Sequence, residues 1–447
     1  MPLRIYNTLS QKLEEFRPLN DTVRIYSCGL TVQGPPHVGH IRAAMTRDIL
    51  RRWLENLGYK TKAIENFTDV DDKIINKQKE LGLDWRMIAE ENIKKYIELC
   101  DFLNILRPHF FPRASQHIKE IIDLIQRLVE KGFAYEKSSD VYFRVRKFPD
   151  YGKLSKKSID ELQSGARIEP TELKEDPLDF ALWKSAKPGE PYWLSPWGKG
   201  RPGWHIECSV MSMHYLGESF DIHTGGEDLI FPHHENEIAQ SQSATGKEFV
   251  RYWIHNGMVN ITGEKMSKST GRYFLMEDII KDYSANVIRI FLLKTHYRSP
   301  IEFSKERLEE ARSAYERIKT FLEKYNEPVA KPELQNLSEF TEAMNEDLNT
   351  PRALGVIFEL VNKGYETNNP EVACSIRHYL SILGFVEERR QGDDLSPKLL
   401  EIILNIRNQL REKKIYELSD IIRKNLNDLG IVIDDKKGES TYRWEVK

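Results

Sequence analysis

In the first third of the chain, short continuous apolar runs alternate with longer segments whose apolar residues recur at helical spacing. Residues 24–30 (RIYSCGL) form a short apolar run of the kind that becomes a buried strand, and residues 62–68 (KAIENFT) form another. Between them, residues 41–59 carry apolar side chains at helical spacing up to Gly58, and residues 72–83 repeat that pattern. The order strand, helix, strand, helix predicts an α/β fold with a Rossmann-like, doubly wound parallel sheet.

The alternation stops near Pro112 and resumes after Arg201. This stretch holds one helical segment and then a segment rich in Pro, Gly and Trp, and we interpret it as an insertion within the nucleotide-binding fold. Helix, strand, helix, strand follow over residues 205–259. After Gly271 the pattern is almost wholly helical, and residues 431–447 close the chain with two short extended segments.

Composition and charge give no sign of a membrane protein, a secreted protein or a strongly basic nucleic-acid-binding protein. The 447 residues carry 66 Lys and Arg against 69 Asp and Glu, so nucleic acid would need a local basic stripe to bind. No apolar run reaches the roughly 18 residues of a membrane-spanning helix, and residues 1–16 lack the apolar centre of a signal peptide. Cysteines at positions 28, 100, 208 and 374 are too irregularly spaced for a disulfide framework, which favours a cytoplasmic location.

Four residues that are far apart in the sequence have the chemistry of a metal site. His233 and Glu237 lie four residues apart in FPHHENE, so on a helix they share one face. Cys28 and Cys208 would add two thiolates and complete a four-ligand zinc site. The alternative is a pair of buried thiols, a surface histidine and a solvated helix face. Three nearby motifs with the character of a nucleotide site, HVGH at 37–40, HTGGEDL at 223–229 and KMSKS at 265–269, favour the zinc site.

HVGH, from His37 to His40, follows the first predicted strand and opens the first helix. Backbone N–H groups and the helix dipole at such a position favour an anion, for example a nucleotide phosphate. The two imidazoles could donate hydrogen bonds to oxygens that gain charge in a transition state, and Gly39 lets a flat base or ribose approach the backbone. Taken alone, this short pattern more often marks an ordinary turn.

KMSKS, from Lys265 to Ser269, is a more specific motif. Its two lysines, Lys265 and Lys268, are separated by small or flexible residues and predict a mobile cationic loop. Such a loop could neutralise the phosphates of ATP as pyrophosphate leaves. The alternative is a solvated Lys-rich turn.

HTGGEDL, at residues 223–229, combines a strand end with two glycines and a carboxylate. Gly226 would permit close approach of a ligand at the carboxyl end of a strand, where ligands bind in open α/β sheets. Asp228 could accept hydrogen bonds from ribose hydroxyls. A structural turn with one solvated acid is the alternative.

In these motifs the chain resembles a class I cysteinyl-tRNA synthetase. The matching segments are CGLTV at 28–32, HVGH, TDVDDKI at 68–74, GWHIECSVM at 203–211, GGEDLIFPHHENE at 225–237 and KMSKS. The helical C-terminal third, with LNTPRAL and the final YRW, is also similar to that family, so the resemblance covers essentially the whole chain. FPHHENE and GWHIEC are specific, because neither is a generic nucleotide-binding signature.

The resemblance implies a function for each group of matching residues. One Zn²⁺ would be held by Cys28, Cys208, His233 and Glu237, and would bind the thiolate of the substrate L-cysteine. The catalytic residues would be His37 and His40, at the α-phosphate, with Lys265 and Lys268, at the β- and γ-phosphates. Mg·ATP would be bound by Gly39, His37, His40, Gly226, Asp228 and Lys268.

Further expectations concern the amino acid and the RNA. Gly29, Thr68 and Trp204 would contact the substrate cysteine, and Arg443 and Trp444 would contact tRNA(Cys). The resemblance also implies a division of the chain into six segments. They are a first Rossmann half at 1–111, a connective insertion at 112–201, a second Rossmann half at 202–260, a KMSKS loop and stem-contact region at 261–315, an all-α bundle at 316–390 and a small mixed, anticodon-binding region at 391–447.

The implied reaction activates cysteine with ATP to cysteinyl-adenylate and then transfers the amino acid to the 3′ end of tRNA. Two alternatives remain open: a cysteine ligase of thiol-cofactor synthesis with an amino-sugar acceptor, and a non-catalytic tRNA-binding paralogue. A monomer is expected, since no coiled-coil heptads are evident. Gln33 and Arg272 depart from the family pattern of Tyr and Asn, and residues 34–36 (GPP) depart from the spacing before HVGH. These departures bear on loop conformation and on the finer ATP contacts, and they involve no zinc ligand and neither lysine of KMSKS.

Overall fold

The computed structural model describes residues 2–159, 161, 174–261, 275–325, 334–386, 396–428, 431–436 and 439–444. The chain forms two compact units, residues 1–386 and residues 387–447. No helix among the described residues is long and apolar enough to cross a membrane. The finer division into six segments stays a prediction.

The first part of the chain contains two short strands and then the predicted alternation of strand and helix. Its elements are β1 (Arg4–Asn7), β2 (Lys12–Glu15), β3 (Thr22–Ser27), α1 (Val38–Asn56), β4 (Lys60–Glu65), α2 (Asp72–Leu81), α3 (Trp85–Phe102) and α4 (Ile118–Glu130). Helix α1 is amphipathic only weakly, because most of its length is covered on several sides. It therefore lies inside the unit rather than on its surface.

The insertion contains an antiparallel sheet that the sequence pattern did not predict. Its strands are β5 (Ala134–Lys137), β6 (Asp140–Phe143), β7 (Phe180–Ser185), β8 (Trp193–Ser195) and β9 (Gly198–Pro202), in the order β5-β6-β7-β9-β8. Buried aromatic side chains hold it together, among them Trp183 and Trp197 with ring centroids 6.0 Å apart. Large aromatic surfaces can form a core from few residues, so this sheet needs no long apolar runs.

The central sheet is completed by the second half of the Rossmann-like part. The elements that follow are α5 (Trp204–Leu216), β10 (Phe220–Gly226), α6 (Glu235–Thr245), β11 (Val250–Asn256) and β12 (Val259–Ile261). The sheet has the order β11-β10-β3-β4, and all three pairings are parallel. This parallel sheet with its covering helices confirms the predicted α/β class and brings the ends of β3 and β10 together.

A helical part completes the larger unit. Its elements are α7 (Met276–Asp282), α8 (Ala285–Leu293), β13 (Ile301–Phe303), α9 (Lys305–Lys324), α10 (Leu337–Asn345), α11 (Thr350–Thr367) and α12 (Pro370–Ile382). Arg289 on α8 donates to Asp48 on α1 over 2.5 Å, and both side chains are wholly buried. This ion pair ties the helical part to the helix that begins at HVGH.

The smaller unit has a hydrophobic core of its own. Its elements are α13 (Ser396–Glu412), α14 (Tyr416–Asp428), β14 (Ile431–Lys436) and β15 (Glu439–Trp444). The two strands form an antiparallel hairpin, which confirms the two predicted extended segments. Leu404 and Leu426 of the helices pack in one cluster with Ile431 and Ile433 of the hairpin.

Candidate active site

A cavity of about 430 Å³ opens at the carboxyl ends of the parallel strands. Cys28 and Gly29, just after β3, line it together with Trp204. Gly226 and Asp228, at and after the end of β10, also line it. A doubly wound sheet binds ligands at this edge because neighbouring strand ends and helix starts diverge there.

The four residues proposed from the sequence as metal ligands meet beside this cavity. One side-chain donor atom from each of Cys28, Cys208, His233 and Glu237 lies within 4.8 Å of the others. The two sulfur atoms are 3.6 Å apart, and Cys28 Sγ is 3.5 Å from Glu237 Oε1. Glu237 Oε1 is also 3.2 Å from His233 Nε2. Two sulfurs, one imidazole nitrogen and one carboxylate oxygen match the ligand types that zinc takes in proteins.

His233 and Glu237 do not share one regular helix, as their predicted common helix face requires. Helix α6 starts at Glu235, and His233 lies in the π-helical turn Ile230–His234 before it. Phe231 in this turn has extended backbone angles. The two side chains nevertheless converge, since the turn carries His233 over the first turn of the helix.

Two further histidines belong to the same cluster and were missed by sequence reasoning. His234 Nε2 lies 3.3 Å from Cys28 Sγ, and His223 Nε2 lies 3.0 Å from Glu237 Oε2. Together with Cys28 and Glu237 they form a second, overlapping set of possible metal ligands. The doubled histidine in FPHHENE and the His-x-Gly-Gly of β10 were the available signals.

The electrostatics of this cluster call for a cation. Glu237 is fully buried, and the described residues give it ion-pair contacts only with histidines. Burial, and then the neighbouring His205, lowers the pKa of His233 well below its usual range, so its imidazole is neutral near pH 7. Burial also raises the pKa of both thiols, Cys28 and Cys208. A divalent metal would balance the carboxylate and stabilise the thiolates, which fits this donor set.

Neighbouring rings fix the orientation of the histidines. Trp204 stacks on His233 with ring centroids 4.3 Å apart, and His205 Nδ1 lies 2.9 Å from His233 Nδ1. On the other side, His234 Nδ1 lies 2.8 Å from His255 Nε2. Hydrogen bonds of this kind select the tautomer and direction of a ligating imidazole.

The HVGH histidines form a reciprocal cap at the start of α1. His37 Nδ1 accepts from the N–H of Gly39 at 3.2 Å, and His40 Nδ1 accepts from the N–H of His37 at 3.3 Å. The rings stack with centroids 3.7 Å apart. Because Nδ1 accepts in each ring, a neutral imidazole carries its proton on Nε2. The cap therefore turns both side chains into hydrogen-bond donors beside the cavity.

Burial keeps these two imidazoles uncharged. It lowers the pKa of His37, an effect that Asp228 opposes. Burial, and then the charges of His37 and Lys73, lowers the pKa of His40 to about 3. Neutral donors at this position avoid repulsion between the two stacked rings and still offer N–H groups to an anion.

The remaining predicted site residues occupy different positions. Gly226 and Asp228 are in close contact, because a Cβ at Gly226 would lie 2.4 Å from Asp228 Oδ1. Thr68 is buried behind the cavity wall, where its hydroxyl donates to Glu207 over 2.9 Å. Gln33, which replaces the expected Tyr, lines the cavity.

Lys265, Lys268 and the departing residue Arg272 lie outside the described residues. Arg443 and Trp444 have a described backbone in β15, but their side chains lie outside the described part.

Comparisons with known proteins match this architecture. Residues 15–313 match the model of the tRNA synthetases class I (C) catalytic domain, and residues 339–385 match the DALR domain. A cysteine–tRNA ligase from Pseudothermotoga lettingae is 50% identical over 99% of both chains, and one from Aquifex aeolicus is 46% identical over 99% of both chains.

Solved structures show the same fold at low identity. A methionyl-tRNA synthetase from Mycobacterium tuberculosis, solved with methionyl-adenylate, has a TM-score of 0.59 at 15% identity and matches over 81% of this chain and 90% of its own. A putative arginyl-tRNA synthetase from Campylobacter jejuni has a TM-score of 0.56 at 15% identity, over 83% and 94% of the two chains. With the family model covering most of the chain and relatives similar over its full length, this enzyme belongs to the class I cysteine–tRNA ligase family.

Proposed function

We infer that this enzyme activates L-cysteine with Mg·ATP to cysteinyl-adenylate and pyrophosphate, and then transfers cysteine to the terminal ribose of tRNA(Cys). The observation that carries this proposal is the shared cavity. A cluster of two thiols, an imidazole and a carboxylate lies beside the space that the HVGH histidines line. One end of that space suits a soft, thiol-containing substrate, and the other suits a nucleotide.

The metal-binding end supplies selectivity in this proposal. Cys28, Cys208, His233 and Glu237 would hold zinc, which when bound offers a soft Lewis acid for the substrate thiolate. Cysteine and serine differ by one atom, and an apolar pocket separates such near-isosteres by only about 10²-fold. A metal that prefers sulfur supports a larger discrimination without a separate editing site.

The nucleotide end supplies charge stabilisation. Nε2–H groups of His37 and His40 would donate to the α-phosphate oxygens as the carboxylate of cysteine attacks. By resemblance, Lys265 and Lys268 would contact the departing pyrophosphate. Neither step requires a protein nucleophile, since orientation and stabilisation of charge are sufficient for phosphoryl transfer.

The acceptor in this proposal is RNA rather than an amino-sugar. The full-length match to cysteine–tRNA ligases and the DALR domain at 339–385 support tRNA as the partner. By resemblance, Arg443 and Trp444 are proposed tRNA contacts, because a cationic and an aromatic residue in one short segment suit phosphates and unpaired bases. A cytoplasmic monomer stays a prediction from the sequence.

The deciding experiment is transfer of labelled cysteine to bulk tRNA, with ATP and magnesium, before and after removal of zinc by a chelator. Charging that depends on zinc and ignores serine is expected. Cysteine-dependent pyrophosphate exchange without charging of tRNA would instead favour the small-molecule ligase.

A matched variant tests the metal-binding end alone. Glu237→Gln keeps the size of the side chain but removes its charge, so cysteine should bind more weakly while ATP binding is unchanged. Unchanged cysteine affinity would contradict the role given to Glu237. Asn236→Ala on the same helix is a control, because the Asn236 side chain accepts a hydrogen bond from Tyr151 and, among the described residues, has no side-chain hydrogen bond to the four ligand residues.

A further inference from the structure

Lys73 is the one lysine or arginine that lines the active-site cavity among the residues that the structure describes. It lies in TDVDDKI, a motif in which the proposed function gives a role to Thr68 but none to Lys73. His37 and His40 line the same cavity. Burial is the main reason that the pKa of His40 is low, and the charges of His37 and then Lys73 lower it further. The ammonium group of Lys73 is therefore close to the HVGH histidines.

The first turn of α2 fixes the position of Lys73. The carboxylate of Asp71 caps the helix by accepting from the backbone N–H of Lys73 at 2.8 Å. Asp72 is bound by two cations of the antiparallel sheet, since Lys184 donates to it over 2.6 Å and Arg201 also donates to it. Both neighbouring carboxylates thus have partners other than the ammonium group of Lys73.

The ammonium group of Lys73 has no hydrogen bond or ion pair within the described part of the chain. Two other lysines of the same helix differ in this respect, because Lys77 pairs with Glu80 at 2.8 Å and Lys79 pairs with Glu190 at 3.3 Å. An exposed lysine is often only solvated, and Lys73 is exposed. Its place on the cavity wall, beside the two histidines, makes it available to an anionic ligand.

The chemistry of the proposed reaction needs a cation at this place. As the adenylate forms, a carboxylate oxygen of cysteine bonds to the α-phosphorus, and the bond to the β-phosphate oxygen breaks as pyrophosphate leaves. The adenylate keeps one negative charge on its phosphate. His37 and His40 are neutral donors, so they orient the phosphate oxygens without balancing this charge. A charged donor forms a stronger hydrogen bond to such an oxygen than a neutral donor does.

We propose that Lys73 is a further catalytic residue, whose ammonium group donates to an α-phosphate oxygen of ATP and keeps this contact in cysteinyl-adenylate. Lys265 and Lys268 have a different role in the proposed function, because the phosphates that they contact depart with pyrophosphate. Lys73 then holds the adenylate until the amino acid is transferred. This inference rests on the nucleotide site of the proposed function and adds a residue outside HVGH and KMSKS.

Paired measurements with AMP and adenosine test this contact without cysteine, magnesium or RNA. The two ligands differ only in the α-phosphate, and equilibrium dialysis of each labelled ligand against the whole chain gives its affinity. Lys73→Met keeps the length of the side chain and removes its charge. We expect this variant to bind AMP about 10-fold more weakly, as the loss of a hydrogen bond from a charged donor predicts. Its affinity for adenosine should stay within about twofold of the wild type.

Two further variants are the controls. Lys77→Met removes a lysine one turn along the same helix that does not line the cavity, so both affinities should stay within about twofold of the wild type. Lys73→Arg keeps the charge and should bind AMP within about threefold of the wild type. A purely structural role of Lys73 would weaken the binding of AMP and adenosine alike.

The possible results separate this inference from the proposed function. Unchanged AMP affinity in Lys73→Met would overturn the role of Lys73, and so would an equal loss of affinity for AMP and adenosine. Unchanged AMP affinity with slower transfer of cysteine to tRNA would assign Lys73 to the RNA instead, which also overturns the phosphate contact. A wild-type chain that binds neither AMP nor adenosine would overturn the nucleotide site itself.

Discussion

Asp48 and Glu237 are both fully buried carboxylates, and their surroundings are opposite. Asp48 accepts from Arg289 at 2.5 Å, from Arg52 at 2.9 Å and from the N–H of Leu106 at 2.9 Å. Glu237 faces thiols and imidazoles, and no Lys or Arg forms an ion pair with it among the described residues. The first charge is paired with cationic side chains, whereas the second has thiol and imidazole neighbours, a donor set that suits a metal ion.

The difference distinguishes a buried charge that stabilises the fold from a buried charge that suits the binding of a ligand. A buried carboxylate that is paired with buried cations helps to hold helices together. A buried carboxylate without a cationic partner lowers the free energy of unfolding until a cation binds to it. The cluster at Glu237 therefore combines a cost to the fold with a site for a cation. Four variants or conditions test this distinction.

The largest effect is expected from Asp48→Asn. The substitution leaves Arg289 buried beside a neutral amide, and breaking a buried pair in this way costs about 3–5 kcal/mol. Urea unfolding at neutral pH measures the loss. In metal-free protein, Glu237→Gln should lose far less, because it removes a charge that has no cationic partner. Equal losses for the two variants would mean that Glu237 is satisfied by the protein after all.

Zinc should stabilise the wild type more than Glu237→Gln. At a free zinc concentration of 100 times Kd, binding to the native state adds about 2.7 kcal/mol to the free energy of unfolding. A ligand change that weakens binding 10-fold or more reduces this gain to about 1.4 kcal/mol or less at the same concentration. Urea unfolding with and without zinc gives both numbers. Identical gains would remove Glu237 from the metal site.

His40 is a third kind of buried group, a neutral imidazole that becomes charged only if it takes up a proton inside the protein. Its pKa is lowered to about 3 by burial and by the facing charges of His37 and Lys73. In the unfolded chain His40 takes up a proton near pH 6.5, whereas in the folded protein it does so only near pH 3. Protonation therefore favours the unfolded chain, so the free energy of unfolding is highest above pH 6.5 and falls as the pH drops toward 3. At pH 5 the loss is about 2 kcal/mol relative to His40→Gln.

The measurement is the difference in unfolding free energy between wild type and His40→Gln from pH 7.5 to pH 4.5. The wild type should lose its advantage steadily below pH 6.5. A difference that does not change with pH would show that His40 titrates normally.

The smallest effect is expected at an exposed ion pair. Arg352 lies 3.4 Å from Glu346 and 3.5 Å from Glu342, and all three side chains are more than 40% exposed. Water and salt weaken such contacts, so Arg352→Ala should change the unfolding free energy by less than about 1 kcal/mol. If Arg352→Ala lowered the free energy of unfolding as much as Asp48→Asn does, solvent exposure would not distinguish weak ion pairs from strong ones.

Local sequence patterns were sufficient for the elements around the site and insufficient for the contacts within it. Apolar periodicity predicted the order of β3, α1, β4 and α2, because each element buries one face over many residues. It could not reveal that β10 pairs beside β3, since that contact joins residues 197 apart, such as Ile25 and Ile222. The predicted ligands came from residue chemistry and family motifs rather than from periodicity.

The missed features have physical causes of the same kind. His223 lies on a buried strand, where no spacing marks it as a neighbour of Glu237. His234 lies three residues before Glu237 but in an irregular turn, so the spacing alone did not separate it from His233. The antiparallel sheet of the insertion depends on a few large aromatic side chains, such as Trp183, instead of alternating apolar residues.

The order of strands in the central sheet also has a consequence for synthesis of the chain on the ribosome. β3 can pair with β4 as soon as residue 65 has emerged, but its other edge waits for β10, which ends at residue 226. At translation rates of about 5–20 residues per second, the 197 residues between Ile25 and Ile222 take roughly 10–40 s. During that interval the nascent chain exposes an unpaired strand edge, and Cys28 has no Cys208 to meet. The strand order therefore delays completion of the central sheet, and of the Cys28 and Cys208 pair, to about the midpoint of translation.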